Sequence, residues 1–101
     1  MPVFDKDDNM LMIEVPDVFC VYREVKTRRI VVIAECGEYY LPTTIKQISA
    51  ILGPSGFQQI DKNKIINVAK VKRYKNGKVT LDGSTFTVSR RNRKPLEDKL
   101  N

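Results

Sequence analysis

The chain has 101 residues, 42% hydrophobic and 30% charged, with a net charge of +6. That is the balance of a soluble globular protein with one modest core, and it excludes a disordered chain or a second domain of ordinary size. Histidine is absent, which removes the commonest general base, the histidine-dependent nucleophile triads and the usual transition-metal ligand together.

No apolar run approaches the ~18 residues of a membrane span, and the acidic start at Asp5, Asp7 and Asp8 is wrong for a signal peptide. The expected address is the cytoplasm, with no membrane partner. Cys20 and Cys36 are too few for a disulfide scaffold and lack metal spacing, so each is read as a small buried hydrophobe in a reduced protein. The charge is unevenly placed. Residues 1–50 hold 6 Lys/Arg against 8 Asp/Glu, a net of −2, and residues 51–101 hold 12 against 4, a net of +8. Such an asymmetry suggests a basic face for a polyanion, beside the plainer reading of a solubilising surface.

In chain order, residues 1–9 are polar and expected to fray. Met10–Val15 reads as a short strand stopped by Pro16. Val18–Val25 and Ile30–Cys36 are rich in β-branched and aromatic residues, with the turn Lys26-Thr27-Arg28-Arg29 between them, and Glu38–Leu41 gives another strand. The period then becomes helical: Ile45, Ile48 and Leu52 recur at i, i+3 and i+7, with Ile51 widening the stripe. Thr43 or Thr44 caps this helix and Gly53-Pro54 stops it. Phe57–Ile60 and Lys64–Val68 resemble strands around Asp61-Lys62-Asn63.

Lys70–Lys75 alternates apolar and basic residues and meets Asn76-Gly77, a type I′ turn signal; Lys78–Leu81 returns, Asp82-Gly83 turns again, and Thr85–Val88 follows. Residues 70–88 thus predict a β-meander. After the basic run Ser89–Lys94, Leu96 and Leu100 suggest a short terminal helix with Pro95 in its first turn. The fold class expected is mainly β: small packed antiparallel sheets with a C-terminal meander, one short central helix and a second short helix suggested at the C-terminus. No repeat or linker divides residues 1–101, so a single unit is expected.

Catalytic chemistry is poorly supplied. Glu35 and Glu38 are read as a solvated rim, Gly53-Pro54-Ser55-Gly56 lacks the lysine and context of a phosphate-binding loop, and no cofactor, metal site or enzymatic activity is expected. The basic residues form three groups, each beside a turn or strand end: Lys26, Arg28 and Arg29; Lys62 and Lys64; Arg90, Arg91, Arg93 and Lys94. Arginine offers a bidentate fork for phosphate or for guanine O6 and N7, and Asn63, Asn67 and Asn92 among them have the chemistry to pair with adenine. Tyr39, Tyr40 and Phe57 are expected to pack the core, and no paired aromatic strand motif favours single strands, so duplex DNA is the preferred partner. Unrelated surface charges, or a basic face for an acidic protein or membrane, are the competing readings.

The segment Phe57-Gln-Gln-Ile-Asp-Lys-Asn-Lys-Ile-Ile-Asn67, the two hairpins, and Thr87-Val-Ser-Arg-Arg91 resemble the LytTR family of bacterial DNA-binding domains. The resemblance spans roughly residues 10–100, specific in the C-terminal half and generic before it. It implies a mainly β fold whose loops enter successive major grooves, in a transcription regulator that binds as pairs on direct repeats, with a homodimer on DNA and a receiver domain or sensor system elsewhere. Carried over by position, it puts Arg28, Lys62 and Arg91 on base edges, with Lys26 and Arg29 beside the first of them, and Arg90, Asn92 and Arg93 on the DNA backbone; Lys26, Arg29 and Lys64 are expected to contact the backbone as well. Asp61 stands where the family usually carries histidine and Asn63 where it carries serine. A carboxylate there would be repelled by phosphate, so Asp61 is expected to hold Lys62 or to accept from cytosine N4. The alternative function is a protein-interaction module that docks on or blocks a larger regulator.

Overall fold

The computed structural model describes residues 1–101. It contains ten strands in two antiparallel sheets and two α-helices. The first sheet is built from β1 (Pro2–Phe4), β2 (Met10–Met12), β3 (Val18–Arg23), β4 (Ile30–Ala34), β5 (Gly37–Leu41), β6 (Phe57–Asp61) and β7 (Lys64–Asn67), in the order β2-β1-β5-β4-β3-β7-β6. The second is the expected meander: β8 (Arg73–Lys75), β9 (Lys78–Leu81) and β10 (Ser84–Thr87), in the order β10-β9-β8. The helices are α1 (Ile45–Leu52) and α2 (Arg90–Leu100).

Two cores lie on opposite faces of the larger sheet. On one face Ile45, Ile48 and Leu52 of α1 pack with Val3, Val21, Ile30, Val32, Phe57 and Ile65. On the other, Cys20, Ile60 and Ile66 meet Val79 and Leu81 of the meander, Val88, and Leu96 of α2. Strand alternation explains the division: Ile65 and Ile66 are neighbours in β7 and serve different cores. A bulge between Val18 and Cys20 lets Val18 and Val21, an odd number of residues apart, face the same core.

Both meander turns form as their dipeptides require. Asn76 and Gly77 take φ of 54° and 71°, and Asp82 and Gly83 take 39° and 80°, the left-handed values that let strands reverse in two residues. Thr44 caps α1 by accepting from Gln47 N at 3.1 Å.

The structure departs from the sequence expectations in several places. Pro2–Phe4, within the stretch expected to fray, forms β1 between β2 and β5, with Val3 fully buried. Ile51 does not widen the buried stripe; it is exposed. Residues 68–70 form a turn of 3₁₀ helix rather than the start of β8, because the Asn67 side chain accepts from Ala69 N. The terminal helix begins at Arg90, five residues before Pro95, so Pro95 lies inside it. Cys20 is buried as expected, whereas Cys36 is exposed at the β4–β5 turn.

A candidate nucleic-acid interface

Two backbone hydrogen bonds gather the three basic segments. Arg23 N donates to Asn63 O at 2.9 Å, joining the root of the β3–β4 loop to the β6–β7 turn. Ser89 N donates to Ile60 O at 2.8 Å, setting the start of α2 beside the same turn. Segments far apart in sequence are therefore held at one corner by main-chain groups, which no substitution other than proline removes.

The β3–β4 loop is stitched internally. Arg28 N donates to Glu24 O at 2.8 Å, Glu24 N to Arg29 O at 2.9 Å, and Thr27 Oγ1 to Glu24 Oε1 at 3.0 Å. Arg28 sits at φ 60°, a left-handed conformation unusual for a residue with a side chain. Its side chain and that of Lys26 are exposed. The guanidinium of Arg29 stacks 3.7 Å from the centroid of the Tyr40 ring, a cation–π contact that fixes its position. Tyr40 is thus half-buried beneath a cation rather than packed in the core, while Phe57 is a core residue and Tyr39 packs on the core's edge.

In the β6–β7 turn the Asp61 carboxylate accepts from Asn63 N at 2.7 Å. Asp61 therefore closes the turn, and Lys62 is left exposed at its tip. Lys64 points elsewhere: its ammonium lies 3.8 Å from the centroid of Phe86 and 5.7 Å from that of Tyr22.

At the head of α2, Arg90 and Arg91 are exposed on the first turn, where the unpaired N–H groups of the helix add to their positive potential. Asn92 turns its amide back to Ser89 Oγ at 2.6 Å. Arg93 is half-buried, with Nε donating to Val88 O at 3.3 Å. Asn67, grouped with the polar reading residues on sequence, is buried; its amide donates to Val18 O at 2.9 Å and accepts from Ala69 N at 3.1 Å. Sequence spacing carries no sign of these engagements.

The two ion pairs of the chain are Lys70–Glu35 and Lys94–Asp98. Lys26, Arg28, Arg29, Lys62, Arg90 and Arg91 are consequently without an acidic partner, and only Arg29 has another fixed contact. Glu35 is more than a solvated rim: the Lys70 ammonium holds its carboxyl below the usual range, while the neighbouring Asp17 carboxyl, hydrogen-bonded to Glu35, is pushed up. No group of acidic residues and cysteines in the structure is arranged to hold a metal ion. Sequence reasoning left Arg73, Lys75 and Lys78 of the meander unassigned, although their alternation with Tyr74 and Val79 places them on one exposed face.

The family model of the LytTr DNA-binding domain matches residues 8–101. The chain belongs to that family of DNA-binding domains. It is also similar in structure to the LytTr DNA-binding domain of a Bacillus cereus protein described as a methyl-accepting/DNA response regulator: the TM-score is 0.82 at 15% identity, covering 98% of this chain and 94% of the other. No curated protein matches the sequence. No helix is long and apolar enough to cross a membrane.

Proposed function

We propose that this domain is the DNA-reading part of a bacterial transcription regulator and binds duplex DNA with sequence preference, its loops in the major groove. The observation that carries the reading is the gathering of unpaired Arg28, Lys62, Arg90 and Arg91, from three separate segments, at one corner bound by main-chain hydrogen bonds. Arg28, Lys62 and Arg91 are assigned to base edges, and Lys26, Arg29 and Arg90 to phosphates. Lys64, Asn92 and Arg93 are already engaged within the chain, which favours a role in holding the frame over direct backbone contact. The expected setting is the cytoplasm, with two copies on a direct repeat and a receiver domain or sensor system elsewhere.

An acidic residue in a DNA-facing turn, Asp61, would favour the alternative of a protein-docking module. With the Asp61 carboxylate accepting from Asn63 N, that residue is explained by the turn itself. Selection of bound duplexes from a random pool at ~150 mM salt, where screening already weakens non-specific contacts, tests the proposal. An enriched motif, above all a direct repeat, is expected. Salt-labile binding without enrichment would return the weight to the docking module.

A further inference from the structure

The meander has one face in the core and one in water. Tyr74, Val79, Leu81 and Phe86 pack inward. Outward, Arg73 is paired in register with Thr80, and Thr80 with Thr85; Lys75 is paired with Lys78, and Lys78 with Thr87. Arg73, Lys75, Asn76, Lys78, Thr80 and Thr85 line an open, wholly polar depression that no carboxylate borders. The Thr80 and Thr85 hydroxyls lie 3.1 Å apart. None of the three cations is in an ion pair.

Like charges directly opposite on neighbouring strands are destabilising, so the Lys75–Lys78 pairing works against the hairpin it occupies. An anion across the two ammonium groups removes the repulsion. The position of the face indicates which anion. Val88 N donates to Gly77 O at 2.8 Å, and the Arg93 guanidinium lies against Gly77, so the Lys75–Lys78 end of the meander adjoins the head of α2. That head carries Arg90 and Arg91, and Ser89 ties it to Ile60 at the β6–β7 turn. The cations of the meander thus adjoin those of the three segments through the head of α2, while Glu97 further along that helix accepts from the Tyr74 hydroxyl at 2.6 Å.

We propose that the outer face of the meander is a phosphate track, which grips the backbone of duplex flanking the base-reading segments without reading sequence. This extends the DNA-binding reading above and rests on it. Arg73, Lys75 and Lys78 supply charge, and the threonine hydroxyls supply hydrogen bonds to phosphate oxygens.

The test measures affinity against salt for wild type, the double variant Lys75→Gln/Lys78→Gln, and Arg28→Gly, each on a duplex trimmed to the selected motif and on one with long flanks. The double variant is expected to fold at least as well as wild type, since it removes a like-charge pair. On the flanked duplex its log–log salt slope should be shallower by roughly 2, reflecting two lost phosphate contacts, with affinity reduced equally for every sequence. On the trimmed duplex the difference should shrink.

An unchanged slope and affinity in the double variant, with binding weakened by Arg28→Gly, would overturn the track and leave the DNA reading intact. Altered base preference in the double variant would overturn it as well, by making the face a base reader. Failure of wild type to bind any duplex would overturn both.

Discussion

The guanidinium of Arg93 lies so close over Gly77 that a Cβ added to the glycine would meet Arg93 Cζ at 2.5 Å. Gly77 is also left-handed, at φ 71°. Arg93 reaches across from α2, with Nε on Val88 O, so one side chain fastens the helix to the β8–β9 turn. Gly77→Ala is expected to cost about 1–3 kcal/mol in urea unfolding, from backbone strain and the clash together. In an Arg93→Ala background the clash is gone and only the backbone part remains. A double-mutant cycle should therefore give a coupling of at least about 0.5 kcal/mol. Strict additivity would show that Arg93 swings away freely.

Arg28 separates binding from stability. Its left-handed backbone costs a residue with a side chain on the order of 1 kcal/mol, a cost glycine does not bear. Arg28→Gly should leave unfolding free energy unchanged or slightly higher. Affinity for the preferred duplex should fall by about 1–3 kcal/mol, with relaxed preference at one base pair. Lost stability with intact binding would make Arg28 a loop-holding residue.

Asn67 is buried and both ends of its amide are used, on Val18 O and Ala69 N. Asn67→Ala strands a carbonyl and an N–H where water enters poorly, and should destabilise by about 2–4 kcal/mol. The variant, where still folded, should retain its base preference. A specific loss of preference at full stability would place Asn67 among the reading residues after all.

Burial pushes the Cys20 thiol up to about 11 from an ordinary 9.0, only partly offset by the Lys64 ammonium. The folded state therefore holds this proton more tightly than the unfolded chain. The sign follows from linkage: the contribution is complete below pH 9, and it declines as pH rises toward 11 because the unfolded thiol ionises first. The full decline is about 2–3 kcal/mol. Cys20→Val should flatten the alkaline limb of the stability–pH curve relative to wild type. Identical limbs would mean that Cys20 does not set it.

Much of the fold was legible because several signals are local. The stripe Ile45, Ile48, Leu52 needs only its own period, and the two meander turns need only Asn76-Gly77 and Asp82-Gly83. The charge asymmetry likewise marked the half of the chain that carries most of the cationic surface. Strand β1 was not legible, since it is only three residues long, runs straight into the polar stretch Asp5–Asn9, and finds its partners 8 and 36 positions away at the pairs Val3–Leu11 and Phe4–Tyr40. The start of α2 was misplaced because proline favours a first turn, whereas Ser89 N bonding to Ile60 O, a tertiary contact, sets where this helix begins. At the candidate site, residue type identified the cations but not their engagements. Arg90 and Arg93 look alike in sequence, yet one is exposed and the other is half-buried with Nε on Val88 O.

The hydrogen bonds Arg23 N to Asn63 O and Ser89 N to Ile60 O use only groups that every residue except proline carries. The spacing between the three segments is therefore independent of which side chains stand at positions 28, 62 and 91. A library randomised at positions 62 and 91, with proline excluded and position 28 restricted to residues that tolerate its φ of 60°, should yield proteins of nearly constant melting temperature and divergent target preference. A domain arranged in this way can acquire new targets by exchanging a few exposed residues, without refolding a loop or repacking a core.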